Sequence, residues 1–301
     1  LMFNVESLEE LELINQRAGV LGKTAAVAIR VNPDVDPKTH PYISTGLKKN
    51  KFGIDTETAL KAYKLARKMK HVRIEGIDCH IGSQISEARP FEDAMQNLMN
   101  LVDLLAEAGI KINSLDMGGG LGITYNAETP PGPDEYARAI VETAKTRSLK
   151  LILEPGRVIV GNAGILVTRV LYRKPGKDKE FVIADAGMND LLRPSLYKAF
   201  HAVKPVQQRA AGSITADLVG PICESGDFLA SERVMADVTA GDLLAVMSAG
   251  AYAYTMSSNY CSRLKVPEVM VKAAEFSVVR ERQQYEDLIR GESIPPFLDA
   301  N

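Results

Sequence analysis

Short apolar runs alternate with longer amphipathic segments along the first half of the chain. Five runs have the length and composition of strands: 3–5, 24–31, 72–79, 112–117 and 151–154. Four segments between them repeat apolar residues at helical spacing: 7–19, 56–70, 87–108 and 133–146. Ser7 and Glu10 have the spacing of a capping box at the start of the first helix. Strands that are apolar throughout and alternate with helices predict a parallel sheet, and therefore a β/α domain.

The pattern changes near residue 160. The runs ILVTRVLYRK and KEFVIADAG flank Pro175-Gly176 and predict a β-hairpin. Further β-like runs follow without long helical segments between them: SITADLVG, GDLLAVMSA and PEVMVKAA. We therefore predict two domains, a β/α domain at 1–160 and an antiparallel, β-rich domain at 161–301. The second range is broad enough to include a final strand that returns to the first domain.

The strand count leaves two architectures for the first domain. Five parallel strands can form an open, doubly wound sheet, whereas a closed (β/α)8 barrel needs eight. The chain begins with Leu1-Met2-Phe3, already inside the first predicted strand. We therefore expect upstream sequence to be absent, and the second possibility is a barrel without its first three units.

Composition narrows the class of protein. The 301 residues are 25% charged with a net charge of −2, so no basic face for nucleic acid or for an anionic membrane is expected. No run approaches the roughly 20 apolar residues of a membrane span. The three cysteines are scattered, which excludes a disulfide framework and a zinc motif and fits a reducing compartment. We expect a soluble, cytoplasmic protein that binds a small molecule and no metal.

Polar or glycine-rich clusters follow three of the predicted strands. These clusters are HIGSQ from His80, GGGLG from Gly118 and EPGR from Glu154. In parallel β/α folds the active site lies where the carboxyl ends of the strands meet the loops. The clusters therefore indicate a site at this edge of the sheet.

Each cluster also has a plain structural explanation. The triple glycine suits a phosphate or a tight turn, and Ile123 stands where a dinucleotide fingerprint needs glycine. His80 by itself fits a core histidine, and Glu154 with Arg157 fits an ion pair at a strand end. Together they describe a site for a phosphorylated aromatic cofactor. In such a site the histidine stacks on the ring, the carboxylate holds the ring nitrogen protonated, and Ser83 with Arg157 binds the phosphate.

The second domain contributes further candidates. Arg193 could bind a substrate carboxylate and Glu224 a substrate ammonium group. Cys223 is either a small buried hydrophobe or, because Glu224 and Asp227 are its neighbours, part of an exposed loop. A thiol hydrolase is a further possibility, but no histidine has an evident partnering context.

Six motifs occur in one order along the whole chain: HIGSQ, DMGGGLG, EPGR, ADAGMNDLLRPSLY, GPICESGDFLA and GAYAYTMSSNY. In this they resemble the diaminopimelate decarboxylases, which are alanine-racemase-like, pyridoxal-phosphate-dependent enzymes. The resemblance implies a (β/α)8 TIM-like barrel, here partial, followed by a C-terminal antiparallel β-domain, and so favours the barrel over the open sheet. It also implies that meso-diaminopimelate is converted to L-lysine and carbon dioxide with pyridoxal 5'-phosphate as cofactor.

The resemblance assigns a role to each candidate residue. His80 would stack on the cofactor ring, Glu154 would pair with its nitrogen, and Cys223 would return a proton after decarboxylation. The remaining cofactor-binding positions would be Ser83, Gly118, Gly119, Gly120, Pro155, Gly156, Arg157 and Tyr252. The substrate-binding positions would be Arg157, Arg193, Tyr197, Glu224 and Tyr252. A homodimer is implied as well, because the loop with Cys223 reaches the partner's active site in this family.

The Schiff-base lysine of the family has no counterpart in this chain. We therefore expect the chain by itself to bind the cofactor without a covalent bond, to be inactive and to expose two unpaired sheet edges. Two other functions remain open. One is a sister decarboxylase of ornithine, arginine or carboxynorspermidine, and the other is a homologue that binds pyridoxal phosphate without catalysis.

Overall fold

The computed structural model describes residues 2–37, 39, 40, 45, 51–208 and 212–298. Over these ranges the chain forms two compact units, Leu1–Val160 and Gly161–Asn301. Each unit has its own hydrophobic core.

The first unit contains a parallel sheet whose described strands follow the order of the chain, β1-β2-β3-β4-β5. Its strands are β1 (Phe3–Val5), β2 (Ala25–Arg30), β3 (Val72–Asp78), β4 (Ser114–Asp116) and β5 (Lys150–Ile152). Its helices are α1 (Leu8–Val20), α2 (Thr56–Ala66), α3 (Arg89–Glu107), α4 (Pro133–Thr146) and α5 (Arg157–Val160). All five predicted strands and the parallel pairing are confirmed. α2 ends at Ala66, earlier than the predicted residue 70.

Helix starts and the sheet core follow from local chemistry. Ser7 Oγ accepts the N–H of Glu10 at 3.1 Å, as a capping box predicts, but the Glu10 carboxylate returns to the N–H of Glu6 rather than of Ser7. Tyr63 on α2 is fully buried, and its hydroxyl donates to the Gly76 carbonyl at 2.7 Å. This bond ties α2 to β3.

The second unit is built from β-strands. They are β6 (Leu166–Pro175), β7 (Glu180–Ala184), β8 (Val203–Pro205), β9 (Ser213–Val219), β10 (Phe228–Ala236), β11 (Leu243–Val246), β12 (Glu268–Lys272) and β13 (Glu275–Arg280). Its short helices are α6 (Arg193–Tyr197) and α7 (Tyr285–Leu288). Among the described residues, the larger sheet has the order β10-β9-β7-β6-β11-β8, and β12 pairs with β13.

The predicted hairpin is confirmed, because β6 and β7 pair antiparallel across Gly176, whose N–H donates to the Lys179 carbonyl. The purely antiparallel prediction needs one correction, since β7 and β9 pair in parallel. The reason is the connection between them. It runs through α6 and β8 before β9 joins the sheet, and such a crossover returns the chain in the same direction.

None of the helices in the described ranges has both the length and the apolar character required to cross a membrane.

Candidate active site

Three carboxylates meet at the carboxyl ends of neighbouring strands in the first unit. Asp78 ends β3, Asp116 ends β4, and Glu154 follows β5. Their oxygens lie within 4.8 Å of one another, and both aspartates are only 2% exposed. The parallel register produces this arrangement, because Asp78 is paired directly with Asp116. Three like charges at this spacing require compensation by positive charge or by protons.

Side chains from β1 and β2 partly supply that compensation. Asn4 donates from Nδ2 to Asp116 Oδ2 at 3.2 Å and to Glu154 Oε1 at 3.3 Å. Arg30 Nε lies 3.9 Å from Asp78 Oδ2, while Arg30 Nη1 donates to Glu6 at 2.6 Å. Arg30 is therefore shared between two carboxylates, those of Glu6 and Asp78.

The remaining charge is reduced by protonation. Burial, reinforced by the charge of Asp116, raises the pKa of Asp78 to about 8, and Arg30 acts in the opposite direction. Burial and Asp116 also raise the pKa of Glu154. Asp78 is thus a neutral acid at pH 7.

The His80 ring is held in one orientation and one charge state. The N–H of Gly119 donates to His80 Nδ1 at 3.1 Å, so Nδ1 is unprotonated and the proton of the neutral ring is at Nε2. Burial, together with the charge of Arg30, lowers the pKa of His80 to about 4. The ring is consequently a flat, uncharged surface at neutral pH.

The glycine segment is a turn packed tightly between neighbouring loops. Gly118 and Gly120 have φ values of 64° and 106°, in the region that favours glycine. A Cβ on Gly119 would lie 2.2 Å from the Glu154 carbonyl oxygen, and one on Gly120 would lie 2.3 Å from that of Gly82. The N–H of Glu154 also donates to the Gly118 carbonyl at 2.7 Å. The tight packing by itself explains why glycine is required here. Because these residues have no side chains, their backbone atoms are also open to close approach by a ligand.

Arg157 is anchored close to this turn. It is 6% exposed, and its guanidinium donates to Tyr125 Oη at 2.6 Å and to Ser83 Oγ at 2.9 Å. Pro155 and Gly156 are exposed between Glu154 and Arg157. The predicted residues of the three clusters thus lie on one edge of the first unit.

In the second unit Cys223 and Glu224 lie on an exposed loop, which resolves the two possibilities for Cys223. The loop is organised by the buried Asp227, whose carboxylate accepts the N–H groups of Ile222 at 2.7 Å and Met188 at 2.6 Å. Glu224 accepts the hydroxyl of Tyr260 at 2.7 Å.

Arg193 is buried at the start of α6, 5% exposed, and its guanidinium donates to His201 Nε2 at 2.7 Å. The other ring nitrogen of His201 faces the Met247 carbonyl at 2.8 Å. Because a carbonyl only accepts, Nδ1 carries the proton and Nε2 is the acceptor. Tyr197 at the end of α6 is half-buried, and Tyr252 is 41% exposed in a left-handed turn with φ 57°.

Sequence reasoning missed several residues of these sites, namely Asn4, Arg30, Asp78, Asp116, Tyr125, His201 and Tyr260. Asp78 and Asp116 did have a signal, since each is an acidic residue near the carboxyl end of a predicted strand. Tyr125 had none, because only the tertiary fold brings it to Arg157. Tyr260 ends the GAYAYTMSSNY motif, but the motif does not indicate its contact with Glu224.

Comparison with known proteins places these motifs in a family. The family described as "Pyridoxal-dependent decarboxylase, pyridoxal binding domain" matches residues 1–161. Diaminopimelate decarboxylase of Pseudomonas aeruginosa is 53% identical over 98% of this chain and 71% of its own length. The corresponding protein of Aquifex aeolicus is 49% identical over 99% of this chain and 70% of its own length.

The chain belongs to the diaminopimelate decarboxylases.

Solved structures agree with this membership. The diaminopimelate decarboxylase of Helicobacter pylori, solved in complex with L-lysine, is 41% identical with a TM-score of 0.92, over 96% of this chain and 72% of that one. A lysine/ornithine decarboxylase from Vibrio vulnificus has a TM-score of 0.73 at 22% identity, which shows a common fold alone. The predicted family, fold class and pyridoxal phosphate cofactor of this chain are therefore confirmed.

The strand-end residues fit that cofactor chemically. A neutral, fixed imidazole is suited to stacking on an aromatic ring, and a carboxylate is suited to a pyridine nitrogen. Arg157, Ser83 and the glycine turn supply the donors and the space that a phosphate needs.

Proposed function

We propose that this chain decarboxylates meso-diaminopimelate to L-lysine and carbon dioxide, the last step of lysine biosynthesis. The identity of 53% to a diaminopimelate decarboxylase over 98% of the chain carries this proposal. The relative solved with L-lysine supports it, because L-lysine is the product of that reaction.

The first unit holds the cofactor in this proposal. Pyridoxal phosphate, when bound, withdraws electrons from the substrate carbon that loses its carboxylate. His80 would stack on the cofactor ring, and Glu154, which accepts a hydrogen bond from Asn4 Nδ2 at 3.3 Å, would face the ring nitrogen. The residues that would hold the phosphate are Ser83, Gly118, Gly119, Gly120, Pro155, Gly156 and Arg157.

The second unit carries the residues proposed for substrate recognition and for proton donation. Arg193 and Tyr197 bind the distal carboxylate. Glu224 and Tyr252 bind the distal ammonium group. His201 keeps the Arg193 guanidinium oriented. Cys223 Sγ donates the proton that replaces the lost carboxylate.

Substrate choice is tested with a chain extended at its N-terminus by the lysine-bearing strand of the family. We expect equal amounts of L-lysine and carbon dioxide from meso-diaminopimelate, and little turnover of ornithine, arginine or carboxynorspermidine. Faster turnover of ornithine would make the chain a sister decarboxylase. Cofactor binding without any carbon dioxide release would make it a non-catalytic homologue.

The role of Cys223 has its own test in the same extended chain. Cys223→Ala should lower kcat and leave KM for meso-diaminopimelate nearly unchanged, because the thiol acts after binding. Equal kcat values in the two proteins would remove Cys223 from this role.

We also propose a homodimer in which each active site takes Cys223 from the partner subunit. Mixed dimers of the Glu154→Gln and Cys223→Ala variants of the extended chain then contain one intact site and one doubly altered site. Random mixing should restore roughly a quarter of the unaltered activity, since half of the dimers are mixed and half of their sites are intact. Two inactive variants that stay inactive after mixing would place both residues in the same subunit's site.

A further inference from the structure

Two exposed thiols face each other in the second unit. Cys223 Sγ lies 3.9 Å from Cys261 Sγ, although 38 residues separate them in the chain. Both cysteines are exposed, whereas Cys79 in the first unit is 1% exposed. The three cysteines of the chain therefore form one accessible pair and one buried thiol.

The two cysteine-bearing segments are fixed to the same stretch of chain after β7. Asp227, which organises the Cys223 loop, accepts the N–H of Met188 at 2.6 Å. Arg263, two residues after Cys261, donates from Nε to Asn189 Oδ1 at 3.2 Å. Adjacent residues thus anchor both segments, and the sulfurs remain neighbours as long as this stretch is folded.

A direct hydrogen bond also joins the two segments. Tyr260, the residue before Cys261, donates its hydroxyl to Glu224, the residue after Cys223, at 2.7 Å. Cys261 itself lies in a left-handed turn with φ 53°. Such a conformation is costly for a residue with a side chain and persists only where neighbouring contacts impose it.

We propose that Cys223 and Cys261 form a dithiol site that a hydroperoxide oxidises to an intramolecular disulfide. One thiolate attacks the peroxide, so that a sulfenic acid forms and hydroxide, or an alkoxide, leaves. The second thiol then attacks the sulfenic sulfur, the S–S bond forms, and water leaves. Two thiols have lost two electrons and two protons, and the peroxide O–O bond has been reduced.

The two sulfurs are close to bonding distance. A disulfide holds its sulfurs about 2.05 Å apart, so the sulfurs of these two exposed residues must approach by roughly 2 Å. Peroxide should react with these two cysteines and not with Cys79, because Cys79 is buried in the first unit.

The disulfide does not depend on the proposed function, but its consequence does. If Cys223 donates the proton in catalysis, the disulfide removes that proton, and turnover stops until a thiol reductant restores it. The site then couples lysine formation to the redox state of its surroundings.

The test uses the reduced chain, an equimolar amount of hydrogen peroxide, alkylation of the remaining thiols and digestion with trypsin. Cleavage at Arg233 places the two cysteines on separate peptides. We expect a cross-linked pair that is two hydrogens lighter than its parts, and a decrease from three free thiols to one. Dithiothreitol should reverse both changes.

Two variants control for chemistry at a single thiol. In Cys261→Ser the sulfenic acid of Cys223 should persist, trapped by dimedone, with no cross-link. In Cys79→Ser the cross-link should form as in the unaltered chain. Sulfinic acid at Cys223 without a cross-link, or disulfides only between chains, would overturn the proposal.

Activity separates this proposal from the proposed function. In the extended chain, a cross-link that forms while turnover continues keeps the dithiol site and removes Cys223 from catalysis. If the cross-link does not form and the Cys223→Ala enzyme is slow, Cys223 keeps its catalytic role and the dithiol site is rejected.

Discussion

Asp78 shows how one buried side chain ties stability to pH. Its Oδ1 atom accepts no hydrogen bond from the described residues, and Arg30 approaches its other oxygen only to 3.9 Å. Burial raises its pKa from 3.8 to about 8. Between these values the folded chain keeps a proton that the unfolded chain releases. The stability contributed by this group is therefore complete below about pH 4 and is lost as the pH rises through 8.

We predict that Asp78→Asn flattens this dependence. The amide is neutral at every pH, so the free energy of unfolding should fall less between pH 5 and 8 than in the unaltered chain. The slope removed should be at most about 1.4 kcal/mol per pH unit. Urea unfolding at several pH values measures it. The control is Asp103→Asn, because Arg147 lowers the pKa of this exposed aspartate and it stays ionised in that range. Parallel curves for Asp78→Asn and the unaltered chain would contradict the prediction.

Gly119 is constrained by its neighbours rather than by its backbone angles. A methyl group there would lie 2.2 Å from the Glu154 carbonyl oxygen, and backbone atoms cannot move aside as a flexible side chain does. We predict that Gly119→Ala lowers the free energy of unfolding by about 1–3 kcal/mol, the usual cost of overpacking.

Gly212→Ala is the matched control, since, apart from its chain neighbours, no atom of the described residues lies within 4 Å of a Cβ at that position. Its effect in the same urea titration should stay within about 0.5 kcal/mol. Equal effects of the two substitutions would show that the loops around Gly119 yield freely.

Among single residues, the sequence predicted those whose chemical role is indicated by a motif. His80, Ser83, Glu154 and Arg157 lie together on the strand-end edge. The proton at His80 Nε2 and the neutral Asp78 could not be predicted, since both depend on burial and on partners that only the fold supplies.

Among the elements, α3 illustrates why periodicity predicts helices well. Its buried residues recur at helical spacing and face the sheet core: Phe91, Ala94, Met95, Leu98, Met99, Leu101, Val102 and Leu105. The pattern is regular because every turn of the helix buries apolar side chains on the same face. The sequence pattern did not predict β10, because the alternation of apolar and polar residues is irregular in this strand. Its register shifts near Ala230 and its central Ser-Glu-Arg segment break the alternation that identifies a strand.

Two adjacent leucines of α3 provide a prediction. Leu105 is fully buried and Leu104 is 45% exposed. Leu105→Ala should lower the free energy of unfolding by about 2–5 kcal/mol, because it opens a cavity in the core. Leu104→Ala on the same helix should cost far less. Chemical denaturation of both variants compares them, and equal losses would mean that α3 does not bury the face described.

On the scale of the whole molecule, the two units have separate cores. Leu105 belongs to the first core, and Val182, also fully buried, belongs to the second. We predict that each substitution to alanine reduces hydrogen-exchange protection mainly in its own unit. Peptide-resolved exchange measures both at once. Equal loss of protection in both units from either substitution would show one cooperative core.

The change of pattern near residue 160 predicts two domains, a parallel β/α domain and a β-rich domain. The strand order of the second unit was not predictable from the sequence. Which strands pair depends on long connections, and the local pattern of a strand does not specify its partner on either side.

Strand order also has a consequence for a chain emerging from the ribosome. In the first unit each new strand joins the one made just before it, so the sheet can grow in step with synthesis. In the second unit β6 pairs with β11, so Arg169 of β6 can pair only after Leu243 of β11 has been synthesised. Translation therefore leaves one side of β6 uncovered for the time needed to make the residues between them. A nascent-chain chaperone would find its binding surface on that strand.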